Sequence, residues 1–149
     1  VNDLVLNQAI DNFSIKKYGK SLDIKDFDIS FVKGLSLEDG CATLTKFSAY
    51  LIATGIEYLN KSNNIFPKMN LVCGGGRKNL SLIEDIKFFL PYKDINLENI
   101  DIHGYDGDFI ESKCFAYLAI RSYLNLPISF PSTTGCIEPT IGGVINKNF

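Results

Sequence analysis

Three consecutive glycines, Gly74, Gly75 and Gly76, follow the short apolar run Met69-Asn70-Leu71-Val72-Cys73 and precede Arg77-Lys78-Asn79. Beyond them Leu80, Leu82, Ile83, Ile86, Phe89 and Leu90 recur near helical spacing. Strand, glycine turn, helix is a local geometry that lets a backbone approach a phosphate closely. Glycine removes the Cβ that would stand in the way, and a helix N-terminus presents unpaired N–H groups with partial positive charge. The run lacks the Gly-Lys-Ser/Thr of a Walker loop and the spacing of a Gly-x-Gly-x-x-Gly fingerprint. A purely structural strand-to-helix turn fits the same residues.

The second group of interest is the acidic loop Asp101, Asp106, Asp108 with Glu111 close behind. Carboxylates there can bind a sugar hydroxyl or cooperate with Mg²⁺, which prefers oxygen ligands. They equally suit helix caps and solvated turns, and Glu111 is favourable in a first helical turn for local reasons. His103 has no evident partner acid. Ser132-Thr133-Thr134-Gly135 offers hydroxyls to a ligand or simply a turn after Pro131. No Gly-x-Ser-x-Gly elbow or nucleophile–base pair is present, so none of these groups is a complete active site by itself.

The elements that would position these groups read as α/β. Leu4-Val5-Leu6 through Ile15 suggests a short helix ending near Gly19, and Lys20 to Lys33 reads as irregular, pinned by Phe27, Ile29, Phe31 and Val32. Ser36, with Asp39 three residues on, makes an N-cap for a helix continuing to about Asn60, followed by a polar turn at Lys61-Ser62-Asn63-Asn64. A strand at 69–73 and a helix at 80–90, stopped by Pro91, lead to extended pieces around Asn96–Asn99. Asp106 or Asp108 would cap a helix from about Phe109 to Leu124, and Pro127 and Pro131 imply an extended segment after it. Thr140 to Ile145 reads as a turn and short strand. The link from strand 69–73 through a helix to the next strand is too long for a hairpin and fits a crossover.

Composition narrows the partners. The 149 residues suffice for one domain with a core, and a net charge of −2 leaves no footprint for nucleic acid or an anionic membrane. Lys16, Lys17, Lys20 and Lys25 alternate with acids and read as a solvated face. No apolar run reaches the roughly 20 residues of a membrane span. Cys41, Cys73, Cys114 and Cys136 have no metal-site spacing and read as small buried hydrophobes in a reducing cytosol, with metal ligation by the protein not expected. The chain opens on Val1 without a methionine, which reads as a processed or truncated piece.

Taken in order, the motifs resemble a known family. Lys20-Ser21 through Phe27, Asp39-Gly40-Cys41-Ala42-Thr43-Leu44-Thr45, Val72-Cys73-Gly74-Gly75-Gly76-Arg77-Lys78-Asn79, Glu111 through Ala119, Leu126-Pro127, Phe130-Pro131-Ser132-Thr133-Thr134-Gly135 and Gly142-Gly143-Val144-Ile145 are similar to the C-terminal part of the anhydro-N-acetylmuramic acid kinases. Such kinases belong to the sugar kinase and actin superfamily, whose two α/β halves close on ATP and substrate.

The resemblance implies an α/β fold, a mixed sheet with helices on both faces, like one half of the actin-like ATPase (ribonuclease H-like) fold. It also implies ATP and Mg²⁺ as cofactors, a sugar as substrate and a cytoplasmic place in cell-wall sugar recycling. The family opens the 1,6-anhydro ring and phosphorylates the 6-hydroxyl. Gly74, Gly75, Gly76, Lys78 and Asn79 would line the nucleotide side and Glu111 the substrate side, while Asp101, His103, Asp106 and Asp108 receive no role. The family's phosphate-binding Gly-Thr-Ser-x-Asp loop and catalytic aspartate have no counterpart here and are expected upstream of Val1. Residues 1–35 would then join a missing N-terminal half and residues 36–149 form the C-terminal subdomain, with Phe27, Phe31 and Phe130 as candidate interface. The expected partners are that half and, as an assembly, a homodimer. No catalytic residue is expected in this chain, and no activity from it alone. Two rivals stand beside this reading: a piece of another sugar or acetate kinase, and a non-catalytic α/β interaction domain.

Overall fold

The computed structural model describes residues 1–13, 24–63, 67–91, 95–144 and 146. Helix α1 spans Asp3–Asn12, capped by Asn2, whose side chain accepts from Val5 N. The expected continuation to Ile15 and Gly19 lies outside the described residues, as do Lys20 to Asp23. The Asn2 amide donates to Thr43 Oγ1 at 3.0 Å, which fixes α1 to the next helix. Helical 3₁₀ turns occupy Ile24–Asp26 and Ser30–Val32. Phe31 packs edge-on to Phe47 with ring centres 5.0 Å apart, and Phe27 stacks on Phe13. Ile29 points to solvent instead of pinning this segment.

Helix α2, Leu37–Asn63, begins as the sequence suggests, with Ser36 Oγ accepting from Asp39 N at 3.1 Å. It runs on through Lys61-Ser62-Asn63, where a turn is expected from composition. The ion pair between Lys61 and Glu57 and the bond from Asn63 Nδ2 to the Leu59 carbonyl extend the helix by a turn, and a lysine there suits the negative end of the dipole.

Strand β1 (Met69–Val72), helix α3 (Leu80–Phe89) and strand β2 (Asn96–Asn99) form a crossover unit. The strands pair in parallel, Met69 opposite Asn96 and Val72 opposite Asn99. A core forms where α2 and α3 cross the sheet: Ala49 and Ala53 let α3 approach closely, and Ile86, Leu90 and Leu97 fill the space with Val72 and Ile83 at its rim. A second cluster, Leu6, Ala9 and Phe47, seals α1 on α2. The fold class is α/β, as expected; among the described residues the sheet has two strands, both parallel, where a mixed sheet is expected.

Helix α4 spans Ile110–Tyr123 and the single helical turn α5 spans Pro131–Thr134. The sequence suggests extended backbone around Pro131, but proline fits the first helical position, where its missing N–H is no loss. Ser129 and Thr140 form an isolated antiparallel bridge in place of the expected terminal strand. Three cysteines expected inside, Cys41, Cys73 and Cys114, are exposed, and Cys136 is half-buried; all four are free thiols. Cys114 lies on α4, which has no buried residue at all, so its helical periodicity does not translate into burial.

Candidate nucleotide-binding turn

The turn after β1 takes its shape from one glycine. Gly74 adopts φ +77°, a left-handed conformation that a side chain resists, and redirects the chain into the 3₁₀ turn Gly75–Lys78. Asn79 then caps α3, its side chain accepting from Leu82 N at 3.1 Å. This use of Asn79 is structural, and it sets where the α3 N-terminus points.

Arg77 holds the turn against the loop after β2. Its side chain is only 4% exposed. The guanidinium folds back to donate from Nη1 to the Gly74 carbonyl at 2.9 Å and to Asp108 Oδ1 at 2.6 Å. Its Nε donates to Asp101 Oδ2 at 2.9 Å, and Asp106 stands 4.0 Å away. The backbone repeats the link, with Gly74 N donating to the Gly107 carbonyl and Gly107 N to Asp101 Oδ1 at 2.8 Å. Gly107 must be glycine for steric reasons, since a Cβ there would lie 2.5 Å from Arg77 Nε. Lys78 remains exposed and donates to Asp108 Oδ2 at 2.7 Å.

The charges follow the contacts. Hydrogen bonds from Arg77 first, and then from Lys78, hold the Asp108 carboxyl well below the usual range. Arg77 and the Gly107 N–H do the same for Asp101. The Arg77 guanidinium is in turn held more firmly in its charged form, chiefly by Asp108 and then by Asp101.

Asp106 and Asp108 therefore do not cap α4 as expected. Phe109 occupies the cap position without a side-chain bond; its amide donates to the Asp106 carbonyl, while the Asp108 carboxylate faces the two basic residues. The role of Arg77 as the shared partner of Asp101, Asp106 and Asp108 is not legible in the motifs. The available signal was a basic residue directly after the glycines and a run of acids about 30 positions later.

The remaining candidates separate. Gly75 has neither a left-handed φ nor any atom within 4 Å of where a Cβ would stand, and Gly76 would meet only Leu82 at an ordinary 3.5 Å. Glu111 enters the first turn of α4 three residues beyond Asp108, exposed. His103 Nε2 lies 2.8 Å from Glu98 Oε2 and so has the acid partner that sequence did not reveal. Thr133 and Thr134 turn their hydroxyls back to the Phe130 carbonyl, the local-turn alternative for the Ser-Thr-Thr-Gly segment. Beside Asn79 a groove of about 480 Å³ is lined by Glu38, Glu84 and Asp85, whose charges disfavour a phosphate on that side.

These side chains do not fit a protein-held metal. Asp101 and Asp108 are committed to Arg77 and Lys78, and no group of three metal-ligating residues occurs among the described residues. Nor is any described helix long and apolar enough to cross a membrane.

A parallel strand, a glycine turn and a helix are thus joined on one α/β core. Residues 22–148 match the sequence profile of the anhydro-N-acetylmuramic acid kinases. The chain is 55% identical to the anhydro-N-acetylmuramic acid kinase of Pelagibacter ubique over 99% of its own length and 40% of that relative. It is 39% identical to anhydro-N-acetylmuramic acid kinase 2 of a Jannaschia species over 87% of its length and 32% of the relative, and 34% identical to the Methylorubrum populi kinase over 97% and 37%. The chain belongs to the anhydro-N-acetylmuramic acid kinase family, and it spans two fifths or less of the length of these relatives.

Proposed function

We propose that these residues form the nucleotide-side, C-terminal domain of a cytoplasmic, ATP-dependent kinase that opens 1,6-anhydro-N-acetylmuramic acid and phosphorylates its 6-hydroxyl. Residues 36–149 make that domain, residues 1–35 lead into it from an N-terminal half, and the catalytic aspartate belongs to that half. Gly75 carries the reading. The fold has no use for glycine at this position, because the backbone is ordinary and the space beside it is open. Bare backbone facing open space, next to a left-handed glycine and ahead of the N-terminus of α3, suits a phosphate chain. Gly74, Gly76, Lys78 and Asn79 border the same ligand, and Mg²⁺ accompanies its phosphates rather than residing on the protein. Glu111 faces the sugar.

Phosphoryl transfer depends on positioning and charge stabilisation from both walls of a cleft. One wall binds nucleotide weakly and turns over none, so phosphate release from ATP by the purified chain would contradict the assignment. The direct test is calorimetric titration of Mg-ATP into the chain and its Gly75→Ala and Gly75→Val variants. Saturable binding by the parent and a loss of about tenfold or more in the valine variant, a difference of about 1.4 kcal/mol, are expected, with melting temperatures unchanged. Equal binding by all three, or none by the parent, would make the turn structural and favour an interaction domain.

A further inference from the structure

Asp108 is shared by two cations of unlike freedom. Its Oδ1 accepts from Arg77 Nη1 at 2.6 Å and its Oδ2 from Lys78 Nζ at 2.7 Å. The buried Arg77 side chain is also tied to Asp101 and to the Gly74 carbonyl, so its hold on Asp108 cannot loosen without opening the turn. Lys78 is different. Its side chain is 62% exposed and that of Asp108 is 45% exposed. A pair so open to water is weak, because solvent screens the attraction and a flexible lysine gives up side-chain freedom to make it. An incoming anion can break that contact at small cost. The charges around it point the same way. Arg77 and Lys78 face Asp101, Asp106 and Asp108, so the acids outnumber the bases and the clasp as a whole offers an anion no positive field. Attraction for a phosphate at the open backbone of Gly75, on the same 3₁₀ turn as Lys78, requires the lysine to change partner.

We propose that Asp108 sets the affinity of the turn for nucleotide: it holds Lys78 while the turn is empty, and Lys78 exchanges this carboxylate for phosphate oxygens when nucleotide binds. Arg77 keeps Asp108 in place throughout, so the exchange is the swing of one exposed side chain. An acid that stays within reach of the lysine lowers affinity and hastens release, which suits a kinase that must discharge a spent nucleotide in every cycle. The exchange rests on the nucleotide reading of the turn, and it can fail while that reading stands.

Calorimetric titration of Mg-ATP into the chain and its variants tests it, each protein being held at a temperature where circular dichroism shows it folded. Asp108→Asn keeps an oxygen that accepts from Arg77 and removes the charge that holds Lys78. It is expected to bind Mg-ATP about fivefold more tightly than the parent. Asp106→Asn, which alters a carboxylate beside Arg77 and not beside Lys78, should stay within about twofold of the parent. In a Lys78→Ala background the gain from Asp108→Asn should vanish. A second measurement needs no variant: acylation of the parent by an N-hydroxysuccinimide ester, followed by mass spectrometry. Saturating Mg-ATP should slow the reaction of Lys78 and leave that of Lys87, in the last turn of α3, unchanged. A gain that persists without Lys78, an equal gain from Asp106→Asn, or weaker binding by Asp108→Asn would overturn the exchange. So would an unprotected Lys78 in the saturated parent. Absence of binding by every protein would overturn the nucleotide reading and the exchange with it.

Discussion

An Arg77→Ala variant is expected to melt several degrees below the parent at pH 7 and to lose most of the parent's sensitivity to acid. Two carboxylates and one backbone carbonyl meet this one guanidinium, and alanine leaves Asp101 without a cation and Asp108 with Lys78 alone. The pH dependence has a definite sign. Asp101 and Asp108 have folded-state pKa values depressed below the ordinary 3.8, so their stabilisation is complete above that value. It is lost as pH falls through the depressed values. The parent's melting temperature should therefore fall steadily below about pH 4. In the variant the curve starts lower and flattens. Arg77→Lys should recover only part of the difference, since an ammonium is a point charge and lacks the planar fork that reaches Asp101 and Asp108 together. Thermal melts between pH 2 and 7 on the three proteins decide it; a parent and alanine variant with parallel curves would show that the cluster is not what links stability to acid.

Ile86→Ala should cost more than any polar substitution. Ile86 is buried between α2 and the sheet, against Ala49, Ala53, Leu90 and Leu97. Removing its side chain forfeits the transfer free energy and leaves a cavity, together about 2–5 kcal/mol. The two alanines opposite are small and backed by helix, so they cannot collapse into the space. Domains of this size hold about 5–15 kcal/mol in total. One side chain is thus a large fraction of the stability. Urea unfolding should show a midpoint shifted far to lower concentration, and a loss below about 1 kcal/mol would mean that this core is not the one that holds the chain together.

What the sequence made legible was local. Ser36 with Asp39 announced the start of α2, Pro91 the end of α3, and the spacing of Leu82, Ile83, Ile86 and Leu90 the buried face between them. The glycine turn and its following helix were also readable, because cap and turn chemistry act within four residues. Arg77 was not. Its partners stand 24 and 31 residues away, and no periodicity connects a basic residue to acids that only a parallel crossover brings beside it. The exposure of Cys114 has a related reason. An apolar pattern shows what a helix would bury when covered, and α4 is uncovered here.

The clasp between Arg77 and the loop after β2 has a consequence in time. Helix α2 and the α3 cap are assembled from neighbours in the chain, but the glycine turn cannot acquire its shape until residues 101–108 have been made and the crossover has closed. Contacts across such separations form late, after loop-closure entropy has been overcome. The clasp is in this sense expected to close last, with its contacts absent from the folding barrier. Defects in the clasp accordingly leave the speed of folding nearly unchanged and shorten the lifetime of the folded chain.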